Sequence, residues 1–250
     1  MNLEGKTALV MGGGRDIGAS VSRKLGALGA NVVVNYSRSE AEALRVVEEI
    51  KTAGGKAIAV QADATKSDDV SSLVGTTIET FGPTIDILVN VVGGLVARKT
   101  LDEMDEEFFD YLMRLNVNSV FIAMKAVVPH MKAGSSVINF ASLAGRDGGG
   151  PGASAYATSK GAVMTFTRSM AKELGPKGIR VNSLCPGMIS TTFHDTFSKP
   201  EARTKVAGMT PLQREGSPDE IGDIVAFLAS SESSFITGAN LDVNGGLFFS

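Results

Sequence analysis

The chain has 250 residues, of which 43% are hydrophobic and 20% charged, with a formal charge of −3, few aromatics and no Trp. That balance suits a soluble core of small aliphatic side chains and offers no basic footprint for nucleic acid or an anionic membrane. Cys185 is the only cysteine, which excludes an internal disulfide and reads more simply as a small buried apolar residue than as a nucleophile.

The first predicted strand, Thr7–Met11, begins almost at once. No basic region followed by an apolar run precedes it, and no apolar run approaches the length of a membrane span, so cytoplasmic residence is expected. The strand runs into Gly12-Gly13-Gly14-Arg15-Asp16-Ile17-Gly18 and a helix over Ile17–Ala27. A glycine turn between the first strand and helix of a βαβ unit lets backbone N–H groups approach a pyrophosphate at a helix N-terminus. Asp16 is awkward there, because a carboxylate repels phosphate. It is expected to point away from the cofactor, as a cap or polar tether, leaving the phosphates to backbone amides.

The second strand, Asn31–Asn35, ends in Tyr36-Ser37-Arg38-Ser39, with no acid before Glu40. A site selective for NAD usually presents Asp or Glu at this point to bind the ribose 2′-hydroxyl. Its absence, with Arg15 and Arg38 available for a 2′-phosphate, favours NADPH over NADH. Both arginines can also be read as ordinary surface residues.

Helices are predicted over Ser39–Ala53, Asp68–Phe81, Asp105–Met131, Ser154–Leu174 and Pro218–Ala229, and further strands over Ala57–Gln61, Ile85–Asn90, Ser136–Phe140, Arg180–Leu184 and Ala239–Val243. Ser39 with Glu42, and Ser217 with Pro218 and Glu220, read as N-caps, and Gly54 and Gly175 as helix stops. The stretch from Cys185 to Ser217 is expected to be irregular, either a substrate lid or a surface excursion. Alternating strands and helices without an internal linker imply one α/β domain over residues 1–250, a doubly wound parallel sheet of about seven strands with helices on both faces.

Tyr156 and Lys160 share a helix face at i and i+4. A nearby ammonium lowers the pKa of a phenol and makes it a usable acid toward an alkoxide. Such a pair is also common on solvated helices, so its meaning depends on the surroundings. Ser142 follows the fifth strand, where the crevice of an open α/β sheet lies. Asn116 sits inside the long helix, where Asn has no propensity advantage, and can bend the helix or hold a water.

Together these residues resemble the short-chain dehydrogenase/reductase family, over essentially the whole chain up to Asn244-Gly245-Gly246. The resemblance implies a Rossmann-type fold and assigns the catalytic roles to Asn116, Ser142, Tyr156 and Lys160. Of the family motif T-G-x-x-x-G-x-G, Gly12 and Gly18 match, Met11 replaces the Thr and Asp16 the middle glycine. The family's Asn-Asn-Ala-Gly segment keeps its ends, Asn90 and Gly93. The resemblance further implies adenine contact by Asp63 and nicotinamide contacts by Pro186, Gly187, Ile189 and Thr191, with no metal. The glycine-rich loop at Gly148–Gly152 is a residue longer than the commonest version.

The pattern is similar to the branch that reduces 3-oxoacyl groups on a carrier protein, which also includes reductases of sugars, sugar acids and small ketones. Lys125, Lys132, Lys172 and Lys177 are candidates for a carrier-protein surface, and Arg146, His194, Lys199 and Arg203 for binding an anionic substrate. The same charges also read as ordinary solvated residues. A cofactor-sensing scaffold is the non-enzymatic alternative; the intact set of four argues against it. Family members commonly form tetramers, and Phe121–Met131 and Ala162–Met170 are apolar enough for such an interface.

Overall fold

Strand alternation sorts the aliphatic residues into two cores, one on each face of the sheet. In the computed structural model, which describes residues 1–250, β1 (Thr7–Met11) turns Ala8 and Val10 to one face and Leu9 and Met11 to the other. The same division runs through β2 (Asn31–Tyr36), β4 (Ile87–Asn90), β5 (Ser136–Phe140) and β6 (Arg180–Pro186). With β3 (Lys56–Gln61) and β7 (Asn240–Val243), these strands form one seven-stranded sheet in the order β3-β2-β1-β4-β5-β6-β7, every pairing parallel.

One face is covered by α1 (Asp16–Ala27), α2 (Glu40–Thr52) and α10 (Pro218–Ala229), through Leu25, Ile50, Ile221 and Leu228. The other carries α3 (Ser67–Phe81), α5 (Ser119–Val127) and α7 (Ser154–Leu174), through Leu73, Met124, Val163 and Leu174. Each fully buried Leu or Ile contributes roughly 1.5–3 kcal/mol. Strand order reverses between β1 and β4, so the ligand crevice falls off their carboxyl ends. The doubly wound parallel sheet expected from the sequence is the observed architecture.

Several boundaries differ from expectation. Ser217 and Glu220 form a reciprocal capping box on α10, but Ser39 makes no side-chain cap. Gly54 adopts the left-handed conformation of a helix stop (φ +86°). Gly175 does not: it continues into a 3₁₀ turn, Gly175–Lys177, which the left-handed Gly178 terminates. The stretch after β6 is not irregular, since it folds α8 (Thr192–Phe197) and α9 (Pro200–Met209). Both are short and lack a fully buried face, which is why apolar periodicity did not disclose them.

The long predicted helix is α4 (Glu106–Met113), a π segment (Arg114–Asn118), α5 and a 3₁₀ turn (Val128–His130). This continuous 25-residue run reaches a mean hydropathy of 1.2, long and apolar enough to cross a membrane, against expectation. Its apolar side is occupied within the protein: Leu112, Val120, Ala123, Met124 and Val127 are buried.

Candidate active site

The glycine turn is held from β2. Asn35, buried in an otherwise valine-rich strand, accepts the Gly12 N–H on Oδ1 at 3.2 Å, while its amide donates to the carbonyls of Ala62, Val60 and Tyr36. The Gly13 N–H donates to the Asn35 carbonyl at 2.9 Å. At Gly18 the turn approaches itself so closely that a Cβ would fall 2.0 Å from the Gly12 carbonyl oxygen, so only glycine fits. Arg15 is the extended residue preceding α1, and Ile17 lies in its first turn. Asp16 takes φ +48° and turns its carboxylate to Thr192, the first residue of α8. It is a polar tether.

At the far end of the crevice, Asp63 accepts the Thr65 N–H at 2.9 Å and the Thr65 hydroxyl at 2.7 Å, and these bonds hold its pKa below the usual carboxylate value. Arg38 adds a weaker pull in the same direction, which places its charge within reach of Asp63. Arg15 and Arg38 are both exposed and neither forms an ion pair.

The four residues of the catalytic set are brought together. Ser142, just past β5, accepts the Ala144 N–H at 3.1 Å at the start of α6 (Ala144–Asp147) and is close enough to pull on the Tyr156 phenol, and the Lys160 Nζ lies 5.8 Å from the Tyr156 ring centre. A Cβ placed on Gly93 would stand 2.6 Å from Asn116 Oδ1 and 2.9 Å from Lys160 Nζ, so both polar ends face one point beside the loop after β4. The Asn116 side chain accepts the Gly94 N–H at 2.8 Å and donates to the carbonyls of Gly94 and Leu112, within the π segment. Of the two roles open to it, a local change in the helix is visible, as the π segment itself.

Lys160 is 3% exposed and donates to the Phe140 carbonyl at 2.7 Å. Burial depresses its pKa to about 8. Burial also pushes the Tyr156 phenol above its ordinary value, with Ser142 pulling the other way. The expected lowering of the phenol by the Lys160 ammonium is therefore not a feature of this geometry: the ammonium is bonded to Phe140, and desolvation prevails.

Two further asparagines complete the crevice floor. Asn90, in register with Met11 at the end of β4, donates to Asn139 Oδ1 at 2.8 Å, and Asn139 donates to the Thr167 hydroxyl at 3.0 Å. Asn90 Oδ1 is buried without a partner in the protein, an acceptor open to a bound group or a water. Asn35 and Asn139 were missed at the sequence level. The available signal was an Asn inside an aliphatic strand, which is costly when buried unless it is bonded. The orphan acceptor, the self-contacting glycine turn and the two unpaired arginines fit a nicotinamide dinucleotide.

On the opposite wall, Pro186 closes β6 and Gly187 donates to the Val243 carbonyl at 3.0 Å. Ile189 is buried in the core, and the Thr191 hydroxyl donates to the Ile189 carbonyl at 3.1 Å. In α8, Phe193 stands 6.2 Å from Tyr156 and 5.1 Å from both His194 and Phe197, ring centre to ring centre. One aromatic ring, Phe193, thus stands beside the Tyr156 ring.

Two of the four candidate anion binders are committed to partners within the protein. Arg146 pairs with Asp242 at 3.1 Å and with the Asn240 carbonyl, locking it to β7. Arg203 grips Glu215 through two bonds of 2.7 and 2.6 Å, and Asp195 as well. His194 has its pKa lowered, chiefly by burial and then by Arg203 and Arg98, which favours the neutral ring. Lys199 is exposed. Lys125, Lys132, Lys172 and Lys177 all lie toward helix C-termini or just before β5 and β6, at the amino edge of the sheet and away from the crevice. They do not form a patch at the mouth.

The chain matches the protein family described as Enoyl-(Acyl carrier protein) reductase over residues 12–248. It is 39% identical to versicolorin reductase 1 of Dothistroma septosporum, covering 98% of this chain and 97% of that one. It is 36% identical to a 3-oxoacyl-[acyl-carrier-protein] reductase of Staphylococcus epidermidis, covering 97% and 99% respectively. A short-chain dehydrogenase from Burkholderia cenocepacia, solved in complex with NADP, superposes with a TM-score of 0.92 at 34% identity over 99% of each chain.

Proposed function

We propose that this chain, which belongs to the short-chain dehydrogenase/reductase family of NAD(P)-dependent oxidoreductases, is an NADPH-dependent carbonyl reductase. The observation that carries the reading is the convergence of the four polar residues: Lys160 5.8 Å from the Tyr156 ring centre, Asn116 and Lys160 meeting at Gly93, and Ser142 close enough to pull on the Tyr156 phenol.

A nicotinamide held in this crevice would supply the hydride for the substrate carbonyl carbon. Tyr156 Oη gives its proton to the carbonyl oxygen, and the Ser142 hydroxyl orients that oxygen. The phenol must be protonated to act in the reductive direction, and burial, which raises its pKa, favours that form. The Lys160 ammonium, beside the Tyr156 ring and not bonded to the phenol, would hold a hydroxyl of the nicotinamide ribose. Asn116 holds the π segment and the loop at Gly94, and supports a water for proton replacement. Arg15 and Arg38 take the 2′-phosphate, Asp63 the adenine, Asn90 and Gly93 the ribose side, and Pro186, Gly187, Ile189 and Thr191 the carboxamide. The unit is a cytoplasmic homotetramer packed through Phe121–Met131 and Ala162–Met170, where Phe121 is exposed and Phe166 half-buried.

The first substrate class is a 3-oxoacyl thioester, in keeping with the Staphylococcus relative. A second reading, a flat aromatic ketone, is favoured by the Phe193 ring, 6.2 Å from Tyr156 and packed against Phe197. A keto sugar acid is disfavoured, because Arg146 and Arg203 are already paired. NADPH oxidation with acetoacetyl thioester, a bicyclic aromatic ketone and a keto sugar acid tests the assignment. Turnover of none of the three, or a strong preference for NADH, would overturn it.

A further inference from the structure

Asp16 is a non-glycine residue held at φ +48°, a conformation that L side chains adopt only at a cost and that Asp tolerates better than most. Its side chain shows what the conformation achieves. Oδ1 accepts the Thr192 N–H at 3.0 Å and Oδ2 the Thr192 hydroxyl at 2.6 Å, across 176 residues of sequence. Thr192 begins α8, where the backbone N–H has no partner inside the helix, so Asp16 caps the segment from outside. The next residue, Phe193, faces Tyr156. Arg15 and Ile17 flank Asp16 on the glycine turn. One carboxylate therefore joins the turn that cradles phosphate to the wall that faces the carbonyl.

We propose that Asp16 is a positioning residue that clasps α8 to the glycine turn, so that the substrate lid is held over the carbonyl site and moves together with the cofactor's pyrophosphate end. The two Thr192 donors also keep the carboxylate turned away from the phosphates. This inference rests on the dinucleotide reading above.

The test compares wild type, D16G, T192V, T192S and D16G/T192V in three measurements: proteolysis of residues 190–209 in ligand-free protein, NADPH dissociation followed by its fluorescence, and steady-state kinetics. D16G should raise the cleavage rate, the NADPH dissociation rate and the carbonyl KM each by about fivefold or more, within the usual range of coupling between sites. Its kcat should stay within about twofold of wild type, because the proton donor is untouched. Its Tm should not fall, since glycine is at home at this φ. T192S, which keeps both bonds, should behave as wild type, and the double variant should be no worse than D16G. Wild-type cleavage and KM in D16G, or a defect confined to a lower Tm, overturns the clasp. Failure of the wild-type protein to bind NADPH would instead remove the proposed function, and the cleavage comparison would still decide the clasp.

Discussion

The side-chain oxygen of Asn35 accepts the Gly12 N–H at 3.2 Å, so the second strand holds the turn that follows the first. The same amide bonds three carbonyls around the ends of β2 and β3. Asn35→Ala should cost about 1–3 kcal/mol of stability by leaving buried groups unpaired, measured by urea denaturation. It should also weaken NADPH binding, because the turn loses its anchor. An unchanged dissociation constant would show that the turn is rigid without Asn35.

Tyr156→Phe removes the proton donor and leaves the ring in place. General acid catalysis contributes roughly 10²–10⁴-fold, so kcat should fall by at least about a hundredfold. NADPH affinity, read by fluorescence titration, should be near that of wild type. A variant with near-normal kcat would place the donor elsewhere.

Arg38 and Arg15 carry no partner in the protein, which leaves both forks available. Charge-assisted hydrogen bonds contribute about 1.5–3 kcal/mol, so Arg38→Ala should raise the KM for NADPH by roughly ten- to a hundredfold and leave that for NADH little changed. A parallel rise for both cofactors would mean that Arg38 supports the fold or the adenine, not the 2′-phosphate.

Repeated aliphatic runs separated by amphipathic helices carried the sheet, because burial on both faces demands them. The candidate catalytic side chains were legible for a related reason: Ser142 follows β5 and Tyr156 lies in the first turn of α7, and their spacing survives in the linear sequence. What escaped were contacts between distant segments. Nothing in the neighbours of Arg146 announces Asp242, 96 residues on, or in Asp16 its partner Thr192. Helices α8 and α9 escaped because neither buries a continuous face. The four lysines misled because spacing along the chain does not tell which edge of the sheet a helix end reaches.

Lys160 has a folded-state pKa near 8, below the value of about 10.4 for an unfolded lysine. Between these two values the unfolded chain binds more protons than the folded one, so stability rises with pH across that window and is reduced below it. Lys160→Met should abolish this rise and, at pH 7, remove a desolvation penalty on the order of 3 kcal/mol, offset in part by the lost bond to Phe140. Activity should collapse in the same variant. Thermal denaturation of both proteins from pH 7 to 10 checks the sign; a parallel rise in the two curves would assign it to another group.

The ring of Phe193, 6.2 Å from Tyr156 and tilted by 37° to it, is the side chain best placed to sort substrates by shape. Phe197 and His194 hold it from behind at 5.1 Å each, so it is braced in one orientation. Aromatic pairing contributes about 0.5–1.5 kcal/mol beyond the area it buries, and Phe→Ala also removes that area. For a bicyclic aromatic ketone, Phe193→Ala should therefore lower kcat/KM by roughly tenfold or more, mainly through KM. An acetoacetyl thioester, with no ring to stack, should lose far less. A ratio of the two substrates that does not move would take Phe193 out of the carbonyl site and return the lid to a merely covering role, while a selective loss on the thioester would reverse the order of the two substrate classes.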